Sequence, residues 1–370
     1  MKNDLNLLYQ IAIGLIPGIG NATAKKLIAF LGSVENVFTA SKKEILKIPG
    51  IGSFALNNLA NRSAALELAE KEIQFIQKNN IQFTFFTEKG YPSRLKNCDD
   101  NPIGLFYKGD INLKDKVISV VGTRSASEYG ISMCEKLICD LKVFGYNPII
   151  VSGLAYGIDA CAHKAALKNN FKTIAVLGNG LHTIYPGPHR SLSDKIVQNG
   201  AVISEFFSHS KLDKNNFVKR NRIIAGLADA TIVVESKEKG GALITADLAN
   251  SYNRDVLTFP GRANDETSAG CNWLIKTNRA ALIENAADLE YILGWDRDKT
   301  KIPSVQKSLF VNLSPEEEIL VNIIREKESV EIDKLCITSE MPVSKVSALL
   351  LNLEFEGIVK CLPGKVFKLA

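Results

Sequence analysis

Seven short β-branched runs, separated by helical stretches and three of them closed by glycines, leave this chain few ways to fold. The runs are Gln82–Phe86, Val117–Val121, Pro148–Ser152, Thr173–Leu177, Ala201–Ser204, Thr231–Val234 and Val256–Phe259. Amphipathic stretches such as Glu128–Phe144, Ala160–Lys168 and Ser191–Gln198 lie between most of them. This alternation predicts an α/β domain built on a doubly wound parallel sheet with both faces covered. Ligands of such sheets sit beyond the carboxyl ends of the strands. The glycines fall there: Gly122, Gly153, Gly178 and Gly180, then Gly240 and Gly241.

Two of those strand ends carry groups suited to phosphate. Val121-Gly-Thr-Arg-Ser-Ala-Ser127 offers a close backbone turn at Gly122, a hydroxyl at Thr123 and a planar guanidinium at Arg124. Its spacing is not GxGxxG, so no dinucleotide fingerprint is present. The segment Lys214 to Ala246 opens with Lys214, Lys219, Arg220 and Arg222 around one aromatic, Phe217, and continues through a strand to Gly240-Gly241 and a helix. Cations interleaved with an aromatic hold phosphates and stack a base together, whereas most charge clusters are solvated faces. Phe217 has no periodic apolar partner before Ile223, which favours stacking. Gly240-Gly241 before a helix presents free N–H groups to an anion.

The remaining polar residues give weaker signals. Val151 to His163 repeats the strand–glycine–helix device, with Ser152 and Gly153 at the turn. Asp159 and His163 are four apart and share a helix face, a pairing more often structural than catalytic. His182, His189 and His209 fall in no ligand spacing. Glu205 and Glu235 end strands and are candidates to orient a hydroxyl or an arginine; for Glu235 the alternative is a cation such as Arg124 or Arg222. No nucleophile–base pair stands out, so the chain is expected to hold nucleic acid rather than cut it, with no cofactor and no metal.

Composition bounds the partners. The net charge of the 370 residues is +5, and the last sixty hold 7 Lys/Arg against 10 Asp/Glu, which leaves +8 for the first 310. Nucleic acid is expected on that larger part. The 7 cysteines form no CxxC pair and read as free thiols of a reducing cytoplasm. Asp4, Gln10 and Pro17 interrupt the first apolar stretch, so neither a signal peptide nor a membrane span is expected.

Two smaller modules flank the sheet. Residues 1–75 read as short helices with two near-identical turns, Ile16-Pro-Gly-Ile-Gly20 and Ile48-Pro-Gly-Ile-Gly52, similar to paired helix-hairpin-helix motifs. Either these hairpins meet DNA phosphates or they are simply tight αα turns. Lys25 and Lys26 make the first the better contact candidate, since Asn57 and Asn58 follow the second. The sheet domain spans 76–297 and a polar linker 298–312. Residues 313–370 give a winged-helix outline, with a capped helix start at Ser314-Pro315 and a terminal hairpin around Pro363-Gly364. Its expected recognition helix carries Lys345 against Glu354 and Glu356, which points to protein contact rather than groove reading.

Taken together, the chain resembles the DprA/Smf family, the DNA-processing proteins of natural transformation. The resemblance rests on VGTRSASEYG (121–130), SGLAYGIDACAH (152–163), AVLGNGLHTIYP (175–186), ISEF (203–206), FVKRNRIIAGLADATIVVES (217–236), GGALITADLA (240–249) and FPG…SAGCNWLI (259–275). It implies an extended Rossmann domain that binds single-stranded DNA, pairs as a homodimer and loads the recombinase RecA. By motif, Gly122, Thr123 and Arg124 would line a basic pocket with Lys214, Phe217, Lys219, Arg220, Asn221 and Arg222. Phe217 would stack on a base. Ser152, Gly153, Glu235, Gly240, Gly241 and Thr245 would complete the site. Tyr156 and Gly240 depart from the family, where many members carry arginine and serine.

The rival expectation is a nucleotide-processing enzyme of the phosphoribohydrolase (lysine-decarboxylase-like) type, whose PGGxGTxxE loop the Gly240-Gly241…Thr245 turn resembles. The glutamate that this chemistry requires after the threonine is missing, with Asp247 a displaced substitute.

Overall fold

The computed structural model describes residues 2–51, 57–59, 62–295, 313–327, 329–362 and 366–369. The chain forms two compact units, Met1–Pro303 and Ser304–Ala370.

The first unit is built on nine strands: β1 (Gln82–Phe85), β2 (Gly104–Gly109), β3 (Val117–Val121), β4 (Ile149–Ser152), β5 (Thr173–Val176), β6 (Gly200–Ser204), β7 (Ala230–Val233), β8 (Asp255–Thr258) and β9 (Ala281–Leu282). Their order is β1-β2-β6-β5-β4-β3-β7-β8-β9. From β6 to β9 every pairing is parallel. The chain moves outward from β3 to β6, then returns to lay β7 on the other side of β3, which makes the β3/β7 junction a topological switch point.

The sheet is not wholly parallel. β2 pairs antiparallel with both β1 and β6. β2 escapes a sequence reading because glycines bound it on both sides, Gly104 and Gly109. Gly109 is required where it stands: a β-carbon there would approach the Gly200 carbonyl to 2.0 Å.

Period-two alternation buries both faces. Val117, Val121, Ile149, Val151, Ile174 and Val233 point to one core, with Ile223, Ile224 and Leu243 from covering helices. Ile118, Val120, Ile150, Ile232 and Leu257 point to the other, against Leu137, Ile138 and Ile158.

Helices Lys2–Ile13, Asn21–Leu31, Val34–Thr39, Lys42–Leu46 and Arg62–Lys78 precede the sheet. They share a third core with it, in which Ile13, Leu27, Ile45 and Ile76 meet Phe85, Ile103 and Phe106. The expected boundary near residue 75 therefore falls inside one compact unit. The two Pro-Gly turns repeat each other, with φ of 74° at Gly18 and 73° at Gly50, a left-handed conformation that favours glycine. The helix expected at Ala55–Ala60 lies largely outside the described residues.

The second unit has helices Pro315–Lys327, Ile332–Ser339 and Val343–Phe355 with strands β10 (Val330–Glu331), β11 (Val359–Leu362) and β12 (Val366–Leu369), ordered β10-β12-β11. Ser314 and Glu317 form a reciprocal capping box at its first helix. The expected linker 298–312 and the Pro363-Gly364 turn lie outside the described residues. Among those residues no helix is long and apolar enough to cross a membrane.

Candidate nucleic-acid interface

A pocket of about 350 Å³ opens at the β3/β7 switch point. Its walls are the turn after β3 (Gly122, Thr123, Arg124), the loop and helix start after β4 (Ala155, Asp159), the helix Lys214–Leu227, and the loop and helix after β7 (Lys237, Lys239, Gly240, Gly241, Thr245). Five lining side chains are cationic, Arg124, Lys214, Arg220, Lys237 and Lys239, against one carboxylate, Asp159. Arg124, Lys214, Lys237 and Lys239 are exposed, so this charge faces solvent.

The helix Lys214–Leu227 supplies a whole wall. Asp213 starts it by accepting from the Asn215 N–H (2.8 Å). Its apolar end, Ile223 to Leu227, is buried in the sheet core and fixes the rotation of the basic end. That rotation sends neighbouring cations in different directions. Arg220 turns inward, 4% exposed, and donates from Nη1 to the Val176 carbonyl (3.1 Å). Burial lowers its pKa to about 10 while Asp159 opposes the shift, so it remains charged at neutral pH. Burial raises Asp159 in turn, against the pull of Arg220, and its carboxylate accepts from the Ala155 N–H (3.3 Å).

Arg222 faces away from the pocket. It is bound by Glu205 and donates to the Asp100 carbonyl (2.6 Å). Lys219 is exposed and does not line the pocket. Phe217 lies at the rim, its ring against Gly178 and 5.3 Å from the Tyr185 ring. The aromatic without a sequence partner has a spatial one.

Opposite the helix, Gly240 and Gly241 begin the helix Gly241–Ser251; the Leu243 N–H donates to the Gly240 carbonyl (3.1 Å), while the Gly241 and Ala242 N–H groups lie ahead of the first intrahelical bond. A β-carbon on Gly241 would meet nothing within 4 Å, so the backbone is open on this side. Thr245 follows one turn later on the same wall.

Of the fifteen expected site residues, Gly122, Thr123, Arg124, Lys214, Phe217, Arg220, Asn221, Gly240, Gly241 and Thr245 come together here. The others do not line the pocket. The Ser152 hydroxyl donates to the Val120 carbonyl (2.6 Å) between strands, and Gly153 makes room for Arg220. Glu235, fully buried, takes neither Arg124 nor Arg222 as its partner. It accepts from the Ser127 hydroxyl (2.5 Å) and N–H (2.8 Å), fixing the start of the helix Glu128–Val143.

Lys237 and Lys239 were absent from the expected site. Their signal was present as two cations immediately before a Gly-Gly helix start. Of the lysines of the first hairpin, Lys25 is bound by Asn101 and the Asp99 carbonyl, whereas Lys26 is exposed, with its Nζ near Gly50 of the second hairpin. His163 is buried with Nδ1 2.7 Å from Thr173 Oγ1, a core contact. Asp247, the substitute acid of the rival enzyme, pairs with Arg279 (2.9 Å) and lines no part of this pocket.

The chain is similar to known proteins over most of its length. Residues 82–293 match the family model described as DNA recombination-mediator protein A. The chain belongs to that family. Residues 311–365 match the DprA winged helix domain, and residues 13–53 a SAM-like helix-hairpin-helix tandem. Protein Smf of Synechocystis is 31% identical, covering 96% of this chain and 97% of its own. DNA processing protein DprA of Streptococcus pneumoniae is 43% identical over 54% of this chain and 70% of its own. The crystal structure of S. pneumoniae DprA superposes with a TM-score of 0.67 at 34% identity, covering 77% of this chain and 97% of that one. DNA processing protein A from Helicobacter pylori, solved for its single-stranded DNA binding mode, gives a TM-score of 0.51 at 29% identity, with 57% and 95% coverage.

Proposed function

We propose that this protein holds single-stranded DNA in the switch-point pocket and serves DNA processing during transformation. The observation that carries this reading is five cations and an open helix start facing a rim aromatic, Phe217. Phosphate neutralisation supplies affinity without sequence preference, and an aromatic at the rim favours unpaired bases, which alone present a free π face. We read it as binding rather than cutting, since the one carboxylate lining its pocket, Asp159, is buried beside Arg220 and held by the Ala155 N–H. Family membership supports the finer steps, in which the protein acts in the cytoplasm as a homodimer and passes strands to RecA. β9, at one end of the sheet, has Leu282 44% exposed and offers an edge for pairing of the sheet domains. In the winged unit, Lys345 on the helix Val343–Phe355 is paired with Glu316 (2.5 Å), which supports protein contact over groove reading there.

The test is a salt-series titration of matched single- and double-stranded oligonucleotides. Single-strand preference, with affinity falling steeply as salt rises, is expected. Equal binding of both forms would reduce the site to generic phosphate attraction.

A further inference from the structure

The sheet edge that carries the pocket continues past it with rings that the pocket does not use. Tyr156, on the loop after β4, is 47% exposed, and Tyr185, on the loop after β5, is 46% exposed. β4 lies next to β3, whose turn walls the pocket, and β5 lies next to β4. Tyr156 is one residue from Ala155, itself a pocket wall. Both rings therefore stand at carboxyl ends of consecutive strands leading away from the switch point.

Neither ring is a loose surface side chain. Tyr156 meets His189 edge-on, with ring centroids 4.9 Å apart and planes at 65°. His189 is itself anchored: its Nδ1 donates to the Leu154 carbonyl (2.9 Å), and Leu154 is fully buried beneath the loop. Tyr185 leans on Phe217, which is wedged over Gly178. Pre-set rings lose little freedom when a base settles on them. Arg190, exposed and adjacent to His189, places a cation at the far end.

We propose that Tyr156, braced by His189, and Tyr185 form a second stacking station, which takes the base next to the one at Phe217. The strand then runs from the β3/β7 pocket across the carboxyl ends of β4 and β5. This inference rests on the pocket being a single-stranded DNA site. It adds a direction and a site size of more than one nucleotide.

Fluorescence anisotropy with thymidine 5′-monophosphate as competitor and with a long oligothymidylate tests it on the full chain. Tyr156→Ala is expected to weaken the oligonucleotide by about 5- to 150-fold, the range for loss of one stacked base. The same variant should leave the mononucleotide unchanged, and Tyr156→Phe should bind like the parent. Phe217→Ala should weaken both ligands. If Phe217→Ala weakens binding while Tyr156→Ala does not, the second station is wrong and the pocket reading survives. If Tyr156→Ala weakens the mononucleotide as much as the oligonucleotide, Tyr156 belongs to the pocket and no second station exists. If parent and Phe217→Ala bind single and double strands alike, the pocket reading fails and takes this inference with it.

Discussion

The Arg220 guanidinium occupies the space that a side chain at position 153 would fill: a β-carbon on Gly153 would lie 1.4 Å from Nη1. A buried cation needs a socket, and here the socket is a missing methyl. Gly153→Ala should therefore unseat Arg220. Overpacking of this kind costs about 1–3 kcal/mol. A lower urea midpoint with weaker single-strand binding is expected. A variant matching the parent in both would mean that Arg220 repacks freely and is not held by this contact.

Phe217 makes no charged contact, so its removal separates stacking from electrostatics. Phe217→Ala should lower single-strand affinity by about 1–3 kcal/mol. The slope of log affinity against log salt should stay that of the parent, since no phosphate partner is lost. A changed slope would show that the substitution had disturbed the neighbouring cations.

Arg124 and Arg222 should respond in opposite ways. Arg124 is exposed in the pocket, and Arg124→Ala should flatten the salt slope by roughly one counterion with little change in stability. Arg222 and Glu205 are 12% and 11% exposed in their pair. Arg222→Ala leaves that carboxylate buried without its cation, which typically costs about 3–5 kcal/mol of stability. Its salt slope should not change. Salt-series binding and urea unfolding on both variants decide the matter, and the two results exchanged would reverse the assignment.

His163 should make the fold acid-sensitive. Burial, helped by Arg220 and His189, lowers its pKa from the ordinary 6.5 to about 3. Between those values the unfolded chain binds a proton that the folded chain refuses. Stability from this group is thus complete above pH 6.5 and is lost as pH falls toward 3, by up to about 1.4 kcal/mol per pH unit. His163→Asn keeps a side-chain N–H for Thr173 and should remove that part of the slope in urea unfolding between pH 7 and 4. An unchanged slope would place the acid sensitivity elsewhere.

The strands, their parallel core and the glycine-marked edge were legible because period and strand length are local properties. β2 was not, since the glycines at its two ends, Gly104 and Gly109, leave only the short run Leu105 to Lys108 between them, and with it went the antiparallel edge. Within the site, residue types were legible and directions were not. Lys219, Arg220 and Arg222 are near neighbours in sequence, yet one is exposed, one buried beneath the pocket and one tied to Glu205. Helix rotation, set by Ile223 and Ile224 in the core, decides which cation goes where. For Glu235 the sequence left a hydroxyl and a cation both open as partners, and only the fold, bringing Ser127 to it from 108 residues away, selects the hydroxyl.

That glutamate has a mechanical consequence. Its carboxylate holds Ser127, and its backbone carbonyl accepts from the Thr123 N–H (2.8 Å). The turn after β3 and the strand end leading to Lys237 and Gly240 are thereby riveted into one block. These three hydrogen bonds to Glu235 oppose any parting of the two walls. On the proposed reading, a strand is expected to enter from the open side, past Phe217, onto a surface already ordered by folding.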